Sequence, residues 1–288
     1  MTTSESRIRR DLTALVGPRD PHANLQALNA AATYVAEQFQ AAGLTVSEDT
    51  LPSKGRLFRN IVGTLRGITV PEEQVLVVAH YDTKPGTPGA DDNASAVAAM
   101  IEAGRMLASM RYQRTLQFVG FTLEEYGYLG SRHFARRARR EQREILGVLD
   151  LEMVGYTSRR QRVPPGLRAR RTGDFIGVVG NRSSRALVEA FVASARRAVP
   201  GLPVESLVVT WNGYLLPIVR LSDHASFWDA GFPAVMITDT AFLRNPHYHL
   251  SSDTLETLDL PFLTQVTTAV AAAAAGLARP VGSPSLAG

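Results

Sequence analysis

The stretch Val75 to Ser95, VLVVAHYDTKPGTPGADDNAS, constrains this chain more than any other. Val75 to Ala79 are all apolar, the pattern of a strand buried on both faces of a parallel sheet. His80-Tyr81-Asp82 follow directly, then a Pro/Gly loop, then Asp91-Asp92-Asn93 just ahead of a helix expected over Ala94 to Leu107. A histidine and several carboxylates are thereby delivered to the carboxyl end of a strand, where open α/β sheets build their sites. One histidine at a strand end is a common polar terminus, so the remaining segments decide.

Those segments repeat the theme. Leu25 to Ala42 carries apolar residues at Leu25, Leu28, Ala32, Val35 and Phe39 and stops at Gly43, which predicts an amphipathic helix. Strand patterns over Leu44 to Leu51 and Phe58 to Leu65 suggest an antiparallel pair at a sheet edge. Strand Thr115 to Phe121 precedes helix Leu129 to Arg140, strand Leu146 to Leu151 precedes a polar insert over Thr157 to Gly173, and strand Phe175 to Val179 precedes helix Arg182 to Ala198. Pro200 to Val219 reads as irregular; SDHASFWDAG suggests a short helix, Ala234 to Ile237 a strand, and Pro261 to Leu277 a last helix. Strands alternating with helices predict an α/β fold: a mixed, mainly parallel, doubly wound sheet with helices on both faces. No linker divides the chain, so one domain is expected over 1–278, followed by a Gly/Pro/Ser-rich tail at 279–288 expected to be disordered.

Composition narrows the chemistry. With no cysteine, disulfides and thiolate ligands are excluded, and any metal site must be built from His and carboxylates. The first residues hold no apolar core of signal-peptide length, and no later run is expected to reach the roughly 18 apolar residues of a membrane span, so a cytoplasmic protein without membrane contact is the expectation. The formal charge of +4 and the Arg-rich stretches Arg132 to Arg143 and Arg159 to Arg171 raise nucleic acid as a partner. No aromatic residues interleave to stack on bases and the first stretch has the look of a solvated helix face, so nucleic-acid binding is not expected.

Ionisable residues recur at the ends of the other strands. Glu124-Glu125 follow the strand QFVGFT, Glu152 closes LGVLDL, and His249 lies in the loop NPHYH after AVMIT. Imidazoles mixed with carboxylates suit zinc-like ions, whereas magnesium prefers oxygen alone. Adjacent carboxylates in an extended segment point in opposite directions, so of Glu124 and Glu125 one ligates and the other is left to face the reacting water.

In order along Asn60 to Leu258, the segments HYD, GADDNAS, LEEYGYLGS, LEMVGY, SDHASFWDAGFPA and NPHYHLSSDT resemble those of the M28 family of zinc metallopeptidases, which also contains glutaminyl cyclases and inactive receptor-like relatives. The chain varies the pattern with Glu152 where many members have Asp, Ala96 where Gly is usual and Leu250 where Thr often follows the histidine. The resemblance implies a zinc exopeptidase-like fold holding two zinc ions. His80 and Glu152 would hold one and Glu125 and His249 the other, with Asp92 bridging and the Asp92–Asn93 peptide cis. It further implies that Asp82 accepts the second ring N–H of His80 and that Glu124 is the general base. For Asp92 and Asp91 the competing role is that of a helix cap.

Around this set the roles stay open. Asp223 and His224 suit hydrogen bonding to ligands or substrate, or Ser222 or Asp223 caps a helix; Arg244 suits a substrate carboxylate or an internal acid; His247 suits orientation or the surface; Phe242, Tyr248 and Trp228 suit pocket walls or the core. The implied activity is that of an aminopeptidase hydrolysing the N-terminal residue from a peptide or aminoacyl substrate. The alternatives are a glutaminyl cyclase-like acyltransferase, an amidohydrolase of the N-acyl amino acid or carboxypeptidase type, and a non-enzymatic receptor-like protein. Oligomeric state is not legible.

Overall fold

A computed structural model describes residues 3–164 and 170–281. Eight strands form one sheet: β1 (Thr45–Ser53), β2 (Arg56–Leu65), β3 (Val70–His80), β4 (Arg114–Phe121), β5 (Glu144–Glu152), β6 (Ile176–Asn181), β7 (Val204–Val209) and β8 (Ala234–Thr238). Their spatial order is β1-β2-β4-β3-β5-β8-β6-β7. The hairpin β1-β2 is the antiparallel edge, β4, β3, β5 and β8 run parallel, and β6 with β7 runs antiparallel to β8.

Alternation of side chains along each strand assigns the two faces. Val75, Val77 and Ala79 of β3 join one core with α1 (Glu5–Leu15), α2 (Leu25–Ala41), α3 (Ala96–Leu107), α5 (Arg185–Ala198) and α7 (Leu260–Ala278). Leu76 and Val78 join the other, beneath α4 (Leu129–Arg140) and α6 (His224–Asp229). The mixed doubly wound α/β architecture expected from the alternating pattern is therefore observed. By length and composition α7 would suffice to cross a membrane, against the expectation that no run is long enough; its 18-residue window has a mean hydropathy of 1.4, and 61% of that window is buried within the protein.

Two elements differ from expectation. The segment read as irregular contains β7, whose short VESLVV pairs with β6 at the sheet edge. The unanticipated α1 is capped by Ser4, whose hydroxyl accepts from the Arg7 N–H, and buries Ile8, Leu12 and Leu15. Of the tail, Arg279 accepts a hydrogen bond from the Gln113 N–H and Val281 donates to Arg111; residues 282–288 lie outside the described residues.

Candidate metal centre

Three implied ligands, Asp92, Glu125 and Glu152, have their backbone fixed by a neighbouring side chain. The loop leaving β3 turns at Gly89, where φ is +63° and a Cβ would clash with the Asp92 carbonyl oxygen, so glycine is required. The Asp92–Asn93 peptide is cis. The Asp253 carboxylate accepts the amides of both Asp91 (2.9 Å) and Asp92 (3.1 Å), holding this turn from the far side of the chain. Asn93 then reaches β5: its Nδ2 donates to the Leu151 carbonyl (2.9 Å) and its Oδ1 accepts the Met153 N–H (3.0 Å), gripping the backbone on either side of Glu152. Asp82 similarly accepts the amides of Glu124 (3.0 Å) and Glu125 (3.2 Å).

The backbone pays for this arrangement. Leu123 (φ +58°), Met153 (φ +49°) and His249 (φ +59°) occupy the left-handed region beside or at the implied ligands. Such positions cost on the order of 1–3 kcal/mol each and persist where surrounding contacts over-determine them.

The side chains converge in two groups, His80 with Glu124 and Glu152, and Asp92 with Glu125 and His249. Asp92 joins them: its Oδ1 lies 3.3 Å from His80 Nε2 and its Oδ2 lies 3.0 Å from His249 Nε2. His80 Nε2 is also 3.4 Å from Glu152, with Glu124 further off at 3.9 Å, and His249 Nε2 is 3.4 Å from Glu125. His80 Nε2 and Glu125 Oε1 are buried with no hydrogen-bond partner. Buried polar atoms are rarely left so, and unpartnered nitrogen and oxygen atoms aimed at common points are the donor set of zinc-type cations.

The electrostatics carry the same signature of crowded negative charge. Burial alone would depress His80, but Glu124, Asp82, Asp92 and Glu152 together raise its pKa well above the ordinary value. His249 is raised to about 9: burial opposes this, and Asp92 and Glu125 outweigh it. Burial foremost pushes Glu152 up to about 7, against the pull of His80. Burial, then Glu152, Glu125 and Asp223, raise Glu124 well above the usual carboxylate range, with His80 opposing. For Asp92 burial again acts upward, but the two imidazoles prevail and its carboxyl is held well below that range.

The family model for peptidase family M28 matches residues 60–274. The chain belongs to peptidase family M28. It is 34% identical over 273 residues to the uncharacterized protein YfbL of Escherichia coli K12, an alignment covering 89% of this chain and 82% of that one. Leucine aminopeptidase 1 of Trichophyton rubrum is 28% identical over 284 residues, covering 92% and 71%. Among solved structures, a zinc aminopeptidase from Bacillus subtilis shares the fold with a TM-score of 0.74 at 18% identity, covering 95% of each chain. This M28 member is accordingly a hydrolase acting on peptide bonds, with aminopeptidases among its relatives.

The other candidate residues of the M28 chain lie around this centre, in the core or at the surface. Asp82 meets His80 Nδ1 through its backbone carbonyl (3.2 Å), with its carboxylate at 3.7 Å, because that carboxylate is committed to the Glu124 and Glu125 amides. His224 touches no implied ligand: its Nδ1 faces Asp150 (3.1 Å) and its Nε2 faces the Val219 carbonyl (2.8 Å). Asp223 sits at the N-cap of α6 without a side-chain capping bond; Ser222 donates to Glu152 Oε2 (2.8 Å), and the Asp223 carboxylate is buried without a hydrogen-bond partner, its pKa raised well above the usual range by burial and then Asp150.

Arg244 is spent internally. It donates to the Tyr156 carbonyl (3.2 Å) and to Gln161 (3.4 Å) and lies over the Phe175 ring, so it ties the insert after β5 to the loop before His249 rather than facing substrate. Asp91 caps nothing; it accepts from Gly155 (3.0 Å) and from Asn245 Nδ2 (2.7 Å). His247 pairs with Ser252 (3.0 Å) at the surface, Trp228 is buried and bonded to the Ala234 carbonyl, and Phe242 stands against Tyr248, which stacks on His249 with ring centres 3.7 Å apart. Asp253 was not singled out from sequence, Asn93 was named only for its peptide bond, and Ser222 only as a helix cap. Asp253 sits in the quoted segment NPHYHLSSDT, and only its spatial partner discloses the role.

Proposed function

We propose that this protein is a dinuclear zinc aminopeptidase, with His80 and Glu152 on one ion, Glu125 and His249 on the other, and Asp92 between them. The single observation that carries the reading is the span of Asp92, one oxygen toward each imidazole at 3.3 and 3.0 Å. Zinc bound there would polarise the scissile carbonyl and bring a water's pKa down toward neutrality. The chain's own residues do the rest. Glu124, buried at the His80 side and raised in pKa, takes the proton from the attacking water and returns it to the leaving amine. Asp82 orients it by fixing its amide. The carboxylates around the two imidazoles form a negative field suited to a substrate's free amino group, which favours removal of N-terminal residues. Lys84, 3.1 Å from Glu125 and donating to its carbonyl, steadies that side of the mouth.

The test is amine release from aminoacyl chromogenic amides, each free or N-acetylated, by zinc-loaded protein beside Glu124→Gln. The reading expects turnover of free-amine substrates only, lost in the variant. Turnover confined to blocked substrates would replace it with the acyl-amide hydrolase, and cyclisation of N-terminal glutamine in place of hydrolysis would replace it with the acyltransferase.

A further inference from the structure

An apolar pocket opens beside the metal centre, sharing Glu152, Leu221 and Tyr248 with it. Its floor is the face of the sheet beyond α6, and the strand register orders that floor into rows. Glu152 pairs with Thr238, Thr238 with Gly177, and Gly177 with Glu205, so one row runs from an implied ligand across three strand intervals to Glu205. At the usual strand spacing that is roughly 14 Å. The third position is glycine and contributes no side chain. The next row offers Met236, Val179 and Leu207 as an apolar bed. The Glu205 side chain, half-buried at the end of this floor row, makes no hydrogen bond or ion pair among the described residues.

We infer that Glu205 is the specificity-determining residue of this pocket and selects substrates whose N-terminal residue carries a cation at the end of a long chain, lysine or arginine. This rests on the aminopeptidase reading, in which the first residue's amine and carbonyl sit at the metals and its side chain enters the adjoining pocket. Lysine and arginine lay an apolar stem along apolar surface and present a charged head at its end, which matches an apolar bed closed by a carboxylate. Short side chains do not reach the far end of the row. Leucine or phenylalanine would occupy the bed and leave Glu205 without a partner.

Among the described residues, one opposing charge lines the same pocket. Arg162 lies on the insert after β5, exposed and outside regular structure, with its amide donating to the Leu243 carbonyl. A charge free in solvent contributes little to an ion pair, whereas one fixed on a strand and partly desolvated contributes more. The floor carboxylate therefore outweighs the rim guanidinium in choosing the substrate.

The experiment measures kcat/KM of the zinc-loaded wild type, Glu205→Gln and Arg162→Gln on Arg, Lys, Leu and Glu p-nitroanilides. The expected result is a wild-type preference for Arg and Lys. Glu205→Gln lowers these about tenfold, mainly through KM, leaves Leu unchanged and removes the preference, while Arg162→Gln lowers neither. Equal losses on Arg and Leu in Glu205→Gln, or best turnover of the Glu substrate abolished by Arg162→Gln, would overturn the inference. Failure to cleave any of the anilides, Leu included, sinks the aminopeptidase reading instead. Calorimetric binding of arginine amide against norleucine amide then still decides Glu205, with equal affinity in wild type and Glu205→Gln overturning the assignment.

Discussion

Replacing Asn93 by alanine isolates the contact that couples the Asp92 turn to Glu152. In the native protein Asn93 is fully buried and satisfies the Leu151 carbonyl at 2.9 Å and the Met153 amide at 3.0 Å. Alanine leaves both backbone groups buried and unpaired at a cost of about 1–3 kcal/mol each, so the loss is roughly 2–6 kcal/mol before any cavity contribution. Against a typical total of about 5–15 kcal/mol that is a large fraction. Urea unfolding of the zinc-chelated protein should show a lower midpoint with an unchanged slope, since the surface exposed on unfolding stays the same. Because the two freed groups flank Glu152, zinc affinity should also drop, on the order of 10–100-fold as for other outer partners of metal ligands. A stability change below about 0.5 kcal/mol, the range of surface substitutions, would refute the argument that Asn93 holds β5 to the turn.

Further expectations follow from the same contacts. Ser222→Ala removes the donor to Glu152 Oε2 and should weaken zinc binding on the order of tenfold with little change in secondary structure, read by competition with a chromogenic chelator. Arg19 is buried and donates to the carbonyls of Leu15, Gly17, Tyr81, Pro88 and Gly89, its pKa lowered to about 10 by burial; Arg19→Met should cost at least about 3 kcal/mol in urea unfolding, and Arg19→Lys should rescue little because it lacks the planar fork. For the chelated protein, His249 rises from an ordinary 6.5 to about 9, so its stabilising contribution is complete below pH 6.5 and lost as pH climbs to 9. Glu152, raised from 4.5 to about 7, acts in the same direction over that lower window. Melting temperature with EDTA should therefore fall from pH 4.5 to 9, while zinc affinity rises over the upper part of the range as His249 loses its competing proton; a flat melting profile would contradict this.

The sheet was legible where periodicity was strong. The five apolar residues ahead of His80 and the Gly43 stop after Leu25 to Ala42 translate directly into a two-faced strand and a capped helix. β7 was not, because VESLVV is short, half-exposed and preceded by Gly201 and Pro203, so its strand character comes from pairing with β6 rather than from local pattern. In α1 the signal was present in the spacing of Ile8, Leu12 and Leu15 behind Ser4, but the charges between them masked it. At the site, strand-end position alone brought His80, Glu124, Glu125 and Glu152 to attention. The groups that orient them escaped for a physical reason: Asp253 is 161 residues from Asp92 and Asn93 is 60 from Met153, and a carboxylate or amide bonded to a distant backbone leaves no local periodicity. Arg244 shows the converse, a cation beside the site that bonds to Tyr156 and Gln161 of the chain itself.

The central claim is that Asp92 joins two zinc sites and that Glu124 acts on the proton without holding metal. Equilibrium dialysis against buffered zinc, run on wild type and Glu124→Gln with amide hydrolysis followed on the same samples, tests it most directly. The account predicts two zinc ions per chain in both proteins and hydrolysis in the wild type only; a single ion in the wild type, or loss of an ion in Glu124→Gln, would contradict it.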